Sequence, residues 1–168
     1  MRREHLPDHG NDALCELFTD VPLQMPDQVA GFAIWRLSLA YQRYAESALR
    51  ELGLTHTQFA ILALCGWLNH MQQPVSHRDI AKVSGVQVAQ VSLMIKALRA
   101  KRLVQQRMGA EDTRVRVVTL THLGIELLAK AIPIMIELQM SLWPMGSELP
   151  AFLRIVHQTL DRWDTRNV

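Results

Sequence analysis

The sequence has few of the features that hold unusual protein classes together. Its 168 residues include two cysteines, Cys15 and Cys65, which are too few for a disulfide framework or for a zinc site made of cysteines alone. The longest apolar run, residues 59–68, is about half as long as a membrane-spanning helix. No apolar segment follows the charged N-terminus, so we expect no secretory signal, no membrane partner and a cytoplasmic location.

Catalytic and metal-binding motifs are missing as well. The seven histidines show no metal-ligand spacing, and the sequence has no Gly-x-Ser-x-Gly elbow, glycine-rich phosphate loop or His-Glu-x-x-His pair. We therefore predict a protein that is not an enzyme and that needs no cofactor and no metal. Hydrophobic residues make up 49% of the chain and charged residues 20%, a composition that favours a folded globular protein over a disordered one.

Positive charge is concentrated in the middle of the chain. Residues 76–120 contain nine Lys and Arg but three Asp and Glu, whereas the remaining residues contain nine and thirteen. A basic segment inside an acidic frame is compatible with a surface that binds nucleic acid and equally with a solvated basic face.

This basic segment begins with the pattern of a helix-turn-helix. Ser76 is placed to cap a short helix over residues 77–84, Gly85 to end it, and a second helix is predicted over residues 87–101. The apolar positions expected to face the core are Ile80, Val83, Val88, Val91, Ile95 and Leu98.

The hydrophobic period then changes to two, which predicts strands over residues 103–107 and 114–120 joined by a short polar tip. Long helices are predicted on both sides of this region: residues 27–52, then a helix to about residue 69, and residues 121–142 and 149–163. The predicted fold is mainly α with a small β-hairpin wing, a winged helix-turn-helix with long N- and C-terminal dimerisation helices.

The predicted organisation has three parts. Residues 1–26 form an N-terminal extension, residues 27–54 together with 121–168 a helical dimerisation region, and residues 55–120 the winged helix. The long helices carry more apolar surface than one small winged helix can cover, so we expect a homodimer.

Several short motifs occur in a recognisable order. They are Leu54-Thr55-x-x-Gln58, Leu103-Val104, Arg107, Asp112-x-Arg114 and Leu120-Thr121-x-x-Gly124. Over about residues 30–130 the chain thereby resembles the MarR family of bacterial transcriptional regulators. The resemblance implies a homodimer that binds pseudo-palindromic duplex DNA, most often as a repressor, and that a small ligand releases. The family often has Arg where this chain has Leu93, so Gln87, Gln90 and Lys96 are expected to carry more of the contact.

Ten residues are predicted to contact DNA. The amides of Gln87 and Gln90 suit adenine in the major groove, and basic side chains such as Lys96 hold phosphates. Arg114 is expected to enter the minor groove, oriented by Asp112; a surface ion pair is the alternative for these two residues. The full set is Arg78, Gln87, Gln90, Ser92, Lys96, Arg99, Arg107, Asp112, Arg114 and Arg116.

A ligand site is predicted on the first long helix. The resemblance implies an effector bound where this helix meets the DNA-binding lobe, and arginines beside aromatic rings suit an aromatic carboxylate or a CoA thioester. For Arg43 and Arg50, ion pairs with Glu46 are the alternative. The predicted ligand-binding residues are Trp35, Arg36, Arg43, Tyr44, His56 and Phe59. The alternative to the whole function is a winged-helix protein-interaction module without sequence-specific DNA binding.

Overall fold

The computed structural model describes residue 19 and residues 29–71, 75–108, 116–142 and 148–164, except for the side chains of Leu142 and Asp164. The chain divides into two compact units, residues 1–43 and residues 44–168. The described elements are α1 (Ala30–Leu49), a 3-10 turn (Arg50–Leu52), α2 (His56–His70), α3 (His77–Ser84), α4 (Val88–Ala100), β1 (Val104–Met108), β2 (Arg116–Leu120), α5 (His122–Leu142) and α6 (Leu149–Asp164).

Local signals end and start the helices where the sequence predicts. Gly53 adopts a left-handed conformation with φ 64° after the 3-10 turn, which glycine does without steric cost. Thr55 and Gln58 form a capping box at the start of α2, and Ser76 and Asp79 form another at the start of α3. Gly85, with φ 70°, ends α3. The hydrogen bonds from Ser76 lower the pKa of Asp79.

The core of the second unit is built around α2. This helix contacts α3, α4, α5 and β2, and it contributes Ile61, Leu62 and Cys65 to the interior. Burial raises the pKa of the Cys65 thiol to about 12, so this cysteine is a packing residue and no reactive thiolate.

The predicted inner faces are only partly buried. Ile80, Val91, Ile95 and Leu98 are buried as predicted, but the predictions for Val83 and Val88 are wrong, because these side chains are 54% and 45% exposed. Val83 lies in the last turn of α3 and Val88 is the first residue of α4, so both lie next to the turn that joins the two helices and not in the middle of their inner faces.

The hairpin is attached to the helices through β2. Its strands pair antiparallel, with Gln106 opposite Val118. The amide of Val118 donates to the Val75 carbonyl at 2.8 Å. The side chain of Asn69 at the end of α2 donates to the Val118 carbonyl at 3.1 Å and accepts from the Leu120 amide at 3.2 Å. Two strands alone are marginally stable, so these bonds hold the hairpin in a fixed place beside α2 and α3.

The end of β2 is joined tightly to the end of α4. Thr121 donates through its hydroxyl to the Arg102 carbonyl at 2.6 Å, and the same oxygen accepts from the Gly124 amide at 3.0 Å. A Cβ atom at Gly124 would overlap the backbone carbonyl of Leu103. The Leu-Thr-x-x-Gly motif therefore has a structural cause, since Thr121 caps α5 and Gly124 allows its first turn to touch the chain before β1.

We expect Gly124→Ala to destabilise the protein by about 3 kcal/mol, because the added methyl group must displace backbone that cannot move aside easily. Urea denaturation measures the change. Gly31→Ala is the control: a Cβ at Gly31, inside α1, meets nothing within 4 Å, so this variant should be unchanged or slightly more stable. Equal stability of both variants would contradict the close approach at Gly124.

Candidate nucleic-acid interface

The side of α4 that faces away from the core has little charge. Ala89, Leu93, Lys96 and Ala100 follow one another at spacings of four, three and four residues, which places them on one helix face. This face is opposite the buried Val91, Ile95 and Leu98. We call Ala89, Gln90, Leu93 and Lys96, all exposed, the α4 surface. A helix of this kind fits the width of the DNA major groove.

The residues predicted to contact DNA on α3 and α4 differ in exposure. Gln87, the N-cap residue of α4, is exposed, as are Gln90, Lys96 and Arg78. Ser92 is half-buried and donates to the Val88 carbonyl one turn earlier at 2.9 Å.

Ser92 and Arg99 belong to a hydrogen-bond network that sequence reasoning missed. Arg99 Nη1 donates to Gln106 Oε1 at 2.8 Å, Gln106 Nε2 lies 2.7 Å from His77 Nε2, and His77 Nδ1 lies 2.9 Å from Ser92 Oγ. The network joins the start of α3, the middle of α4 and strand β1. No local pattern signals it, because its members come from three separate elements.

The direction of every bond in this network is fixed by Arg99. A guanidinium can only donate, so the amide oxygen of Gln106 faces Arg99 and the amide nitrogen faces His77. The His77 Nε2 atom must then accept, which places the proton on Nδ1, from where it is donated to Ser92. If His77 were protonated, its Nε2 atom would carry a hydrogen and would face the N–H donor of the Gln106 amide with no acceptor between them. The network therefore requires the neutral imidazole.

The electrostatic surroundings of His77 favour this neutral form. Burial lowers the pKa of His77, and the positive charge of Arg116 lowers it further. His77 thereby links the wing to α4 without adding charge to a region that is already basic.

The described part of the wing carries two of the arginines that are predicted to contact DNA. Arg107 on β1 and Arg116 on β2 are exposed. Asp112 and Arg114 lie outside the described residues, and their roles stay predictions. Lys101, which also belongs to the basic segment, makes hydrogen bonds within the fold. It donates to the Gly53 carbonyl and to Gln58 Oε1 at 2.5 and 2.8 Å.

Three of the predicted ligand residues lie together on α1. Trp35, Arg36 and Arg43 are among the described residues lining a hollow of about 600 Å³, together with Phe32, Ala33, Leu37, Leu39 and Ala40. The Arg36 guanidinium lies 6.0 Å from the centre of the Phe32 ring, at the edge of cation–π range.

The other predicted ligand residues, Tyr44, His56 and Phe59, belong to the second unit and are not among the described residues that line this hollow. Tyr44 is exposed, and His56 and Phe59 are half-buried. Burial lowers the pKa of His56, and Glu46 acts in the opposite direction.

The described ranges contain no group of three or more His, Cys, Asp and Glu side chains arranged to hold a metal ion. No helix in those ranges is both long and apolar enough to cross a membrane.

Known proteins share this arrangement of helices and hairpin. An uncharacterized HTH-type transcriptional regulator of Bacillus subtilis, YdcH, is 26% identical over 135 residues, 80% of this chain and 92% of its own. The structure of the Mycobacterium tuberculosis regulator MosR in complex with DNA matches with a TM-score of 0.72 at 24% identity, covering 83% of this chain and 99% of MosR. The chain has a winged helix-turn-helix fold.

A second solved structure widens this comparison. The structure of Rhodococcus jostii CouR bound to p-coumaroyl-CoA matches this chain with a TM-score of 0.67 at 19% identity, over 85% of this chain and 94% of CouR. No family model matches the sequence. The predicted fold and the predicted resemblance to the MarR family are confirmed by these matches, and YdcH, MosR and CouR are transcriptional regulators.

We expect acidification to weaken the winged helix through His77. Because its pKa is lowered in the folded protein, the unfolded chain binds more protons between that lowered value and 6.5. The stability that His77 contributes is therefore complete above this range and is lost as the pH falls through it. The free energy of unfolding in urea should fall as the pH is lowered below 6.5.

The matched variant for this measurement is His77→Asn, whose amide can donate to Ser92 but does not titrate. The fall in stability should be smaller in the variant. His56, whose pKa is also lowered, is present in both proteins and cancels in the comparison. An equal fall in the two proteins would show that His77 does not titrate on unfolding.

Proposed function

We propose that the chain is a ligand-responsive transcriptional regulator, most simply a repressor acting in the cytoplasm, that binds pseudo-palindromic duplex DNA as a homodimer. The observation that carries the proposal is the α4 surface, a weakly charged helix face in a winged helix whose other elements expose the basic side chains of Arg78, Arg107 and Arg116. This arrangement suits a helix lying among base edges with phosphates on either side. The match to MosR, a regulator solved in complex with DNA, supports the same assignment.

Eight of the ten predicted contact residues are assigned a specific role. Gln87 and Gln90 read base edges, and Lys96 and Arg78 neutralise phosphates. Arg99 and Ser92 act through the network to His77 and Gln106, which fixes α4 relative to β1. Arg114, with Asp112 beside it in sequence, enters the minor groove from the wing tip.

The C-terminal helices supply the surface for the homodimer. On α5, the side chains of Ile125, Ile136 and Met140 are 54%, 51% and 59% exposed. On α6, the apolar stripe of Phe152, Leu153, Leu160 and Trp163 is likewise exposed. A soluble monomer rarely leaves so many large apolar side chains in water along two helices. A two-fold dimer would bury it and would hold two α4 helices about 34 Å apart, one turn of DNA.

The effector is proposed to bind at the hollow on α1. Phe32 and Trp35 offer aromatic contact, and Arg36 and Arg43 offer charge. This chemistry suits an aromatic carboxylate or a CoA thioester, and the CouR structure holds p-coumaroyl-CoA. The dimer has one spacing of its two α4 helices that fits the operator and another that does not. The ligand releases DNA only to the extent that it binds the second state more tightly than the first.

Salt tests the DNA function directly. Duplexes selected from a random pool by the full-length protein should yield a two-fold symmetric site whose affinity falls steeply as salt rises, because each neutralised phosphate releases counterions. Arg114→Ala should weaken binding by about 1–3 kcal/mol while the dimer, measured by sedimentation, stays intact.

Lys130→Ala is the matched control, since Lys130 is exposed on α5 outside the basic segment and its loss should leave the affinity unchanged. Failure to select any preferred duplex at any salt concentration would favour the alternative, a protein-interaction module. A monomer that nevertheless binds one half-site tightly would remove the dimer from the proposal.

Effector binding is tested by thermal unfolding with benzoate and with benzoyl-CoA as probes. At least one of them should raise the Tm of the wild-type protein, because a ligand that binds the folded state stabilises it. The shift should shrink in Arg36→Gln and persist in Arg50→Gln, a charge removed outside the described lining of the hollow. No shift with either probe, or an equal shift in both variants, would overturn the assignment of the hollow.

A further inference from the structure

The centre of the α4 surface is an exposed leucine. The side chain of Leu93 is 61% exposed and lies on the face opposite the buried residues of its helix. A single exposed leucine is ordinary on a protein surface. Its position here is distinctive, because it is in the middle of the helix that the proposed function places in the major groove.

The side chains around Leu93 restrict what this face can recognise. Ala89, one turn before it, is small and apolar, and Gln90, beside it on the neighbouring row, offers an amide that pairs well with adenine. The first charged residue of the face is Lys96, one turn further on, and Arg99 is turned toward Gln106. The middle of the face therefore carries no guanidinium, the group most suited to guanine.

Thymine is the base that offers an apolar group in the major groove, its C5-methyl, and its partner adenine offers the donor and acceptor that an amide reads. The winged helix that carries this neutral centre also exposes cations at Arg78, Lys96, Arg107 and Arg116, the charge that a phosphate backbone requires. Such a basic surrounding domain favours DNA over an apolar protein partner.

We propose that Leu93 contacts the C5-methyl group of a thymine in each half-site and, with Gln90, makes α4 selective for A·T pairs at its centre. This inference rests on the proposed function. Leu93 is then a specificity-determining residue, and the operator contains an A·T pair at the position it faces.

Uracil substitution isolates this contact, since replacing thymine by deoxyuridine removes the methyl group and keeps the base pair. The duplex selected by the wild-type protein is used, with each thymine replaced in turn. At one position per half-site the affinity should fall about fourfold, the equivalent of about 0.8 kcal/mol for one buried methyl group. In Leu93→Ala the same substitution should change nothing.

Lys96→Ala is the matched control: it removes a charge from the same face, so it should weaken binding overall while keeping the fourfold sensitivity. The uracil scan on unmodified protein decides the question even if a variant folds poorly. Sensitivity to uracil at no position, the same sensitivity in Leu93→Ala, or G·C pairs at the centre of the selected half-site would each overturn the proposal. Absence of any selected duplex would instead refute the proposed DNA function.

Discussion

The arrangement of this molecule depends on how one short strand is held. β2 pairs with β1 on one side. On the other side its Val118 amide donates to the Val75 carbonyl, and the side chain of Asn69 donates to the Val118 carbonyl and accepts from the Leu120 amide. Because an isolated hairpin has little stability of its own, these bonds decide where the wing lies. Arg107 and Arg116 take their positions relative to α4 from them.

A second constraint holds α4 in a fixed position relative to the wing. Arg99, which can only donate, sets the orientation of the Gln106 amide, and that amide sets the tautomer of His77, which in turn donates to Ser92. Ser92 and Arg99, two of the ten residues predicted to contact DNA, therefore have a structural role as well. These hydrogen bonds connect α4 to the strand that carries Arg107.

The sequence predicts what short-range chemistry determines. Capping boxes, left-handed glycines and the change of hydrophobic period from helix to strand are all local, and they placed the elements close to their observed bounds. Val83 and Val88 were placed in the core because periodicity shows which face points inward but not how far the neighbouring elements extend. Asn69, His77 and Gln106 carry no local signature, since each is defined by a partner far away in the chain. The site predictions for Asp112 and Arg114 lie outside the described residues.

Rigidity between α4 and the wing limits how an effector could act. A ligand that had to deform this region would work against the hairpin bonds at Val118 and the network through His77 at once, and packed, hydrogen-bonded units resist continuous deformation. Moving one such unit relative to its copy in the proposed homodimer requires no internal bond to break. The spacing of the two α4 helices is therefore the variable on which a small ligand can act, and a modest difference in its affinity for two spacings is enough to shift their populations.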